Sequence, residues 1–156
     1  MKNLLLNIYS LQLSVTSVTL SSQDNFIISG SKDNSVIRWD TETGSKDYLC
    51  QRWKRSPLHR NASQGEILSV AVSSDDLYAA CGGRDNKIHI FDLRINEEIH
   101  VFEGHRDAVT SLSFRRGSLS LFSGSLDRSM KHWDLNEMGY LETLFGHQVL
   151  SNPEMF

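Results

Sequence analysis

The chain of 156 residues lacks most of the features that announce a chemistry. Its two cysteines, Cys50 and Cys81, have no CxxC spacing, which argues against a zinc or redox site and fits a reducing compartment without a disulfide framework. Positive charge is not in excess: 16 Lys and Arg against 19 Asp and Glu leave −3, so any attraction for nucleic acid has to be local. No apolar run approaches the roughly 18 residues of a membrane span. Met1-Lys2 and Leu4-Leu5-Leu6 begin like a leader peptide, but Asn7, Ser10 and Gln12 interrupt it and no small-residue cleavage pattern follows. Phosphate loop, metal cluster and Gly-x-Ser-x-Gly elbow are all missing. With 39 % apolar residues the chain is neither disordered nor fibrous. The expectation is a soluble intracellular globular protein with no metal, cofactor or small-molecule substrate.

What the chain does have is a repeat. Gly30, Gly82 and Gly124 align, as do Asp33, Asp85 and Asp127, and then Trp39, Phe91 and Trp133, each followed by Asp. The steps are 52 and 42 residues, and a period near 42 is the length of a four-stranded propeller blade. The same offsets align Val15-Thr16-Ser17-Val18, Ile67-Leu68-Ser69-Val70 and Val109-Thr110-Ser111-Leu112 as innermost strands. Second strands are predicted over 26–29, 77–80 and 119–123, and third strands over 36–39, 87–91 and 130–133, with Leu49, Val101 and Thr143 marking the fourth. The predicted fold is therefore all-β, a partial β-propeller of about three WD blades. They span 14–50, 66–103 and 104–145, with a basic insert at 51–65. Residues 1–13 form a divergent segment holding an outer strand of a preceding blade, and Gly146-His147 opens a fourth repeat that 148–156 does not continue.

Propellers close with about four to eight blades, so three leave apolar faces uncovered. The sequence favours a piece of a longer ring. A pair of half-rings, or termini supplying unrecognised strands, are the alternatives.

His105, Ser123 and Asp127 resemble a hydrolytic triad. In a WD repeat the same residue types, with the third-strand Trp, form a buried hydrogen-bonded tetrad, here His105, Ser123, Asp127 and Trp133. The chain is read as non-catalytic on that ground. The first blade keeps Ser29, Asp33 and Trp39 without the His; the second keeps Asp85 but has Phe91 for Trp and Cys81 for Ser.

The insert reads QRWKRSPLHRNASQG and has no acidic residue. Without Arg52, Lys54, Arg55 and Arg60 the rest of the chain has 12 basic against 19 acidic side chains, or −7. With Trp53 this basic island suits phosphate contact and base stacking, or else it is a solvated linker; composition does not separate the two. Propeller geometry groups the insert with Lys32, Arg84, Arg106 and Arg128 on one face and puts Arg115 and Arg116 on the other.

The runs GHRDAV (104–109), FRRG (114–117), DRSMKHW (127–133) and ETLFGHQ (142–148), with DNSVIRW (33–39), resemble the WD-repeat components of the U3 small nucleolar ribonucleoprotein. The resemblance covers about residues 15–148. It implies a nuclear, nucleolar scaffold that contacts U3 small nucleolar RNA and core proteins of the particle and supports pre-ribosomal RNA processing for the small subunit. Arg106, Arg115, Arg116 and Arg128 fall in matching motifs, with Arg106 and Arg128 the first choice for RNA or partner contact. A protein-only adaptor, such as a ubiquitin-ligase substrate receptor or a chromatin-associated scaffold, is the alternative function.

Overall fold

Alternating apolar residues in runs of five or six, punctuated by polar turns, build strands and nothing else. The computed structural model describes residues 13–50 and 65–144, leaving aside the side chain of Cys50. Within them every regular element is a strand. The first blade holds β1 (Val15–Leu20), β2 (Phe26–Ser31), β3 (Val36–Asp40) and β4 (Lys46–Cys50). The second holds β5 (Ile67–Val72), β6 (Tyr78–Gly83), β7 (Ile88–Asp92) and β8 (Glu97–Phe102). The third holds β9 (Val109–Phe114), β10 (Ser120–Ser125), β11 (Met130–Asp134) and β12 (Gly139–Leu144). Each blade is an antiparallel meander in simple order. The expected leading segment 1–13 lies outside the described residues except for Leu13, as do the insert apart from Gly65 and the opening of a fourth repeat.

Even the irregularities repeat. The register slips at Thr16, Leu68 and Thr110, between the first and second strands of every blade. A second slip between third and fourth strands falls at Leu49, Ile99 and Leu141. Paired bulges bend and twist each small sheet in the same way.

The second strands differ from expectation. They begin at Phe26, Tyr78 and Ser120 and run on through Ser31, Gly83 and Ser125, two or three residues past the predicted ends. The aligned glycines therefore lie in strands rather than turns. Their small size admits the next blade: a Cβ on Gly30 would lie 2.6 Å from Ile67 Cγ2, and one on Gly82 2.7 Å from Val109 Cγ1.

Two cores follow, one at each blade junction. Phe26, Ile28, Val36 and Leu49 of the first blade pack against Ile67, Val70, Cys81 and Phe91 of the second. Ala80, Ile88, Ile90 and Phe102 pack against Val109, Leu121 and Trp133 of the third, with Phe102 stacked on the Trp133 ring. Gly82→Ala forces Val109 and its strand outward and is expected to lower stability by about 1–3 kcal/mol through overpacking, read from the urea midpoint.

Candidate functional site

At one end of each blade a tight turn joins the second strand to the third, and its Asp folds back on the backbone. Asp33, Asp85 and Asp127 each accept the N–H two residues on, from Ser35, Lys87 and Ser129, at 2.9, 3.2 and 2.9 Å. That use of one carboxylate oxygen is local turn chemistry and explains the Asp in all three repeats. What the remaining capacity does distinguishes the blades.

In the third blade it completes the tetrad. His105 Nδ1 lies 2.8 Å from Asp127 Oδ2 and His105 Nε2 lies 2.7 Å from Ser123 Oγ. Trp133 Nε1–H donates to Ser123 Oγ at 2.8 Å. One proton arrangement satisfies every member: Trp133 donates to Ser123, Ser123 to His105 Nε2, and His105 Nδ1–H to Asp127. Ser129 Oγ and the Arg106 N–H add donors to Asp127 at 2.6 and 2.9 Å. Burial opposes ionisation of Asp127, but these hydrogen bonds from Ser129, Arg106 and His105 outweigh it and hold the carboxyl well below its usual range. Gly104, at φ +150°, brings the chain over Trp133; a Cβ there would meet the indole at 3.3 Å. Ser123 is 1 % exposed, and Trp133 and His105 already engage its hydroxyl. The triad look-alike is a brace between the entry of β9 and the centre of the sheet.

The second blade departs from the reading that its tetrad is simply degraded. His89, on β7, fills the space with Nε2 at 2.7 Å from Asp85 and Nδ1 at 2.8 Å from Glu98. Sequence reasoning missed it because His89 aligns with Lys131, not with the loop histidine. The signal was an inward-facing His four residues after the turn Asp. Burial disfavours the imidazolium, but Asp85 and Glu98 more than compensate and raise its pKa. In the first blade the Trp39 indole donates to Ser29 at 2.8 Å, so half the tetrad survives.

The brace also places cations. The Arg106 N–H is fixed on Asp127 and Arg128 follows Asp127 directly, so both side chains leave from one point, exposed. Lys32 and Arg84 leave the equivalent end of the other blades. Arg84 pairs with Glu66 at 2.7 Å, which removes it as an open charge. Among the described residues Lys32, Arg106 and Arg128 make no ion pair. Arg115 and Arg116 sit in the β9–β10 turn, at the opposite end of the sheet. Arg52, Trp53, Lys54, Arg55 and Arg60 lie outside the described residues. Arg128 takes φ +67°, where its aligned partners are Asn34 and Asn86 at +69° and +66°. Asn tolerates that left-handed conformation far better than Arg.

Stacked four-stranded meanders, each with a turn Asp and, in the third blade, an Asp–His–Ser–Trp brace, define a β-propeller repeat protein. The chain belongs to the WD domain, G-beta repeat family, matched over residues 6–40, 55–92 and 96–134. The last segment begins at the outer strand β8 and ends with β11, so one sequence repeat straddles two blades. A "U3 snoRNP-associated protein-like" protein of Arabidopsis thaliana is 36 % identical over 148 residues, covering 88 % of this chain and 30 % of its own length. The "U3 small nucleolar RNA-interacting protein 2" of Homo sapiens is 41 % identical over 113 residues, covering 72 % and 24 %. A crystal structure of RRP9 WD40 repeats superposes with a TM-score of 0.79 at 41 % identity, covering 88 % of this chain and 40 % of that one. The chain thus spans under a third of the length of these two sequence relatives.

Two outcomes test the braces. Asp127→Ala strands His105, Ser129 and the Arg106 N–H and is expected to lower stability by about 1–3 kcal/mol in urea unfolding. The charged groups predict a pH window. The raised His89 contributes fully below its ordinary value of about 6.5 and loses that contribution as pH rises through its folded pKa. The lowered Asp85 and Asp127 contribute above about pH 4 and lose theirs as pH falls. Urea midpoints are expected to be highest at about pH 5–6.5, and His89→Gln should flatten the alkaline decline.

Proposed function

We propose that this chain acts as a non-catalytic WD-repeat scaffold of a U3 small nucleolar ribonucleoprotein. In that role it contacts U3 small nucleolar RNA and core proteins of the particle in the nucleolus and supports ribosomal RNA processing. The reading rests on the relatives whose names specify U3, at 36–41 % identity over most of this chain. Its working units are the blades at 14–50, 66–103 and 104–145, with 51–65 as a basic connection. The contacting end carries Arg106 and Arg128 first, then Lys32, joined by Arg52, Trp53, Lys54, Arg55 and Arg60 of the connection. Arg84 contributes less because Glu66 holds it. Arg115 and Arg116 serve a separate contact at the other end.

The observation that carries the choice of Arg128 is its backbone. An Arg kept at φ +67°, where the other two blades use Asn, costs stability that the turn itself does not recover. Such a cost is commonly retained where the side chain has a task. Arg128→Asn is therefore expected to raise stability by about 0.5–1 kcal/mol while weakening U3 RNA binding. In filter binding across a salt series, Arg106→Ala and Arg128→Asn should each reduce the log–log salt slope by about 0.7–0.9. An unchanged slope in both variants contradicts the assignment.

A further inference from the structure

The turn between β10 and β11 carries an apolar side chain where the other blades carry a charge. Leu126 is 58 % exposed and aligns with Lys32 and Arg84. The same backbone bond pins all three residues. The N–H of Lys32 donates to Ser14 O, that of Arg84 to Glu66 O and that of Leu126 to Ala108 O, each at 3.0 Å. Lys32 and Arg84 stay exposed although a following blade packs against each of theirs. Exposure at this position therefore belongs to the turn and does not depend on what packs alongside.

The leucine is held rigidly beside two open cations. Besides its own N–H bond to Ala108 O, Ser125 Oγ–H donates to Asp107 O at 2.9 Å and the Arg106 N–H donates to Asp127 at 2.9 Å. The loop bearing Arg106 and the turn bearing Leu126 and Arg128 thus form one fixed group. Its carboxylates are engaged locally, Asp107 with the Ala108 N–H at 2.7 Å and Asp127 with His105. Guanidinium groups hold phosphates and carry no sequence information by doing so. A leucine gains nothing from a phosphate but does gain from covering the apolar face of a base. In paired RNA the bases are stacked and the major groove is too deep and narrow for side chains, so only an unstacked base can reach it.

We propose that Leu126 covers one unstacked base of a bound RNA while Arg106 and Arg128 hold the phosphates beside it. The inference rests on the U3 reading of this end and sharpens it. The ligand class is a bulged or single-stranded nucleotide, and continuous duplex does not satisfy the leucine. Apolar side chains set against bases elsewhere favour the steps that unstack most cheaply, which makes the contact a source of selectivity.

Filter binding of the full chain to U3 small nucleolar RNA and to a fully paired RNA of equal length, each over a salt series, tests this. Urea midpoints check that the variants stay folded. Leu126→Ser is expected to weaken U3 RNA binding by about five- to tenfold with the log–log salt slope unchanged, because apolar burial releases no counterions. Its binding to the paired RNA should match the wild type. Leu126→Lys restores the residue type of the other blades. It should tighten binding to the paired RNA and steepen that slope by about 0.9 without recovering the preference for U3 RNA. Unchanged affinity of Leu126→Ser for U3 RNA assigns the leucine to a protein contact and overturns the proposal, as does an equal loss on both RNAs. If Arg128→Asn still lowers the slope, either result leaves the U3 reading standing. A wild-type chain that does not bind U3 RNA overturns both.

Discussion

A four-stranded sheet this small has two faces and no means of burying either alone, and the structure depends on that constraint. Each blade solves it by laying its face on the next, so the stability of the molecule resides at junctions. The same constraint dictates residue choice. Glycine stands where the neighbouring strand comes closest, β-branched residues stand opposite it, and a Ser hydroxyl receives an inner-strand amide across the seam. The fully buried side chains Ile28, Val36, Ile88, Val109 and Leu121 all sit at these seams. Among the described residues the most exposed apolar strand residue is Val18, on the face of the first blade that points away from the second.

In-blade bonding is a second layer that fixes geometry. The tetrad joins a loop, a second strand, a turn and a third strand through groups that each satisfy another, which leaves little room for an alternative packing. The middle blade reaches a similar end by another route, with His89 held between Asp85 and Glu98. The two solutions differ in consequence. His89 between two carboxylates favours the imidazolium and ties the second blade's stability to pH. Only the tetrad also fixes the Arg106 backbone beside Arg128, so the brace that shapes the third blade also sets the position of its cations.

The architecture was legible in the sequence because a propeller writes the same period into every level. The aligned glycines, aspartates and aromatics mark the repeat, and His105, Ser123, Asp127 and Trp133, singled out by type and spacing, are joined by hydrogen bonds in the structure. Two things were not legible. Strand ends were placed too early because Gly usually marks a turn, while here Gly30 and Gly82 serve a close approach that involves residues 27 to 40 positions away. His89 was passed over because its partners come from a turn and from the neighbouring strand β8, a combination that alignment with the other blades does not suggest. The pairing of Arg84 with Glu66 also depends on a contact across 18 residues that charge counting cannot resolve.

The central claim is that the end of the third blade shaped by Asp127 meets U3 RNA. Ultraviolet cross-linking of the chain to U3 small nucleolar RNA, with the attached peptides mapped by mass spectrometry, tests it most directly. Cross-links concentrated on the segments around Arg106 and Arg128 are the predicted result. Cross-links confined to the Arg115–Arg116 turn at the opposite end, or none in the third blade, would contradict the account.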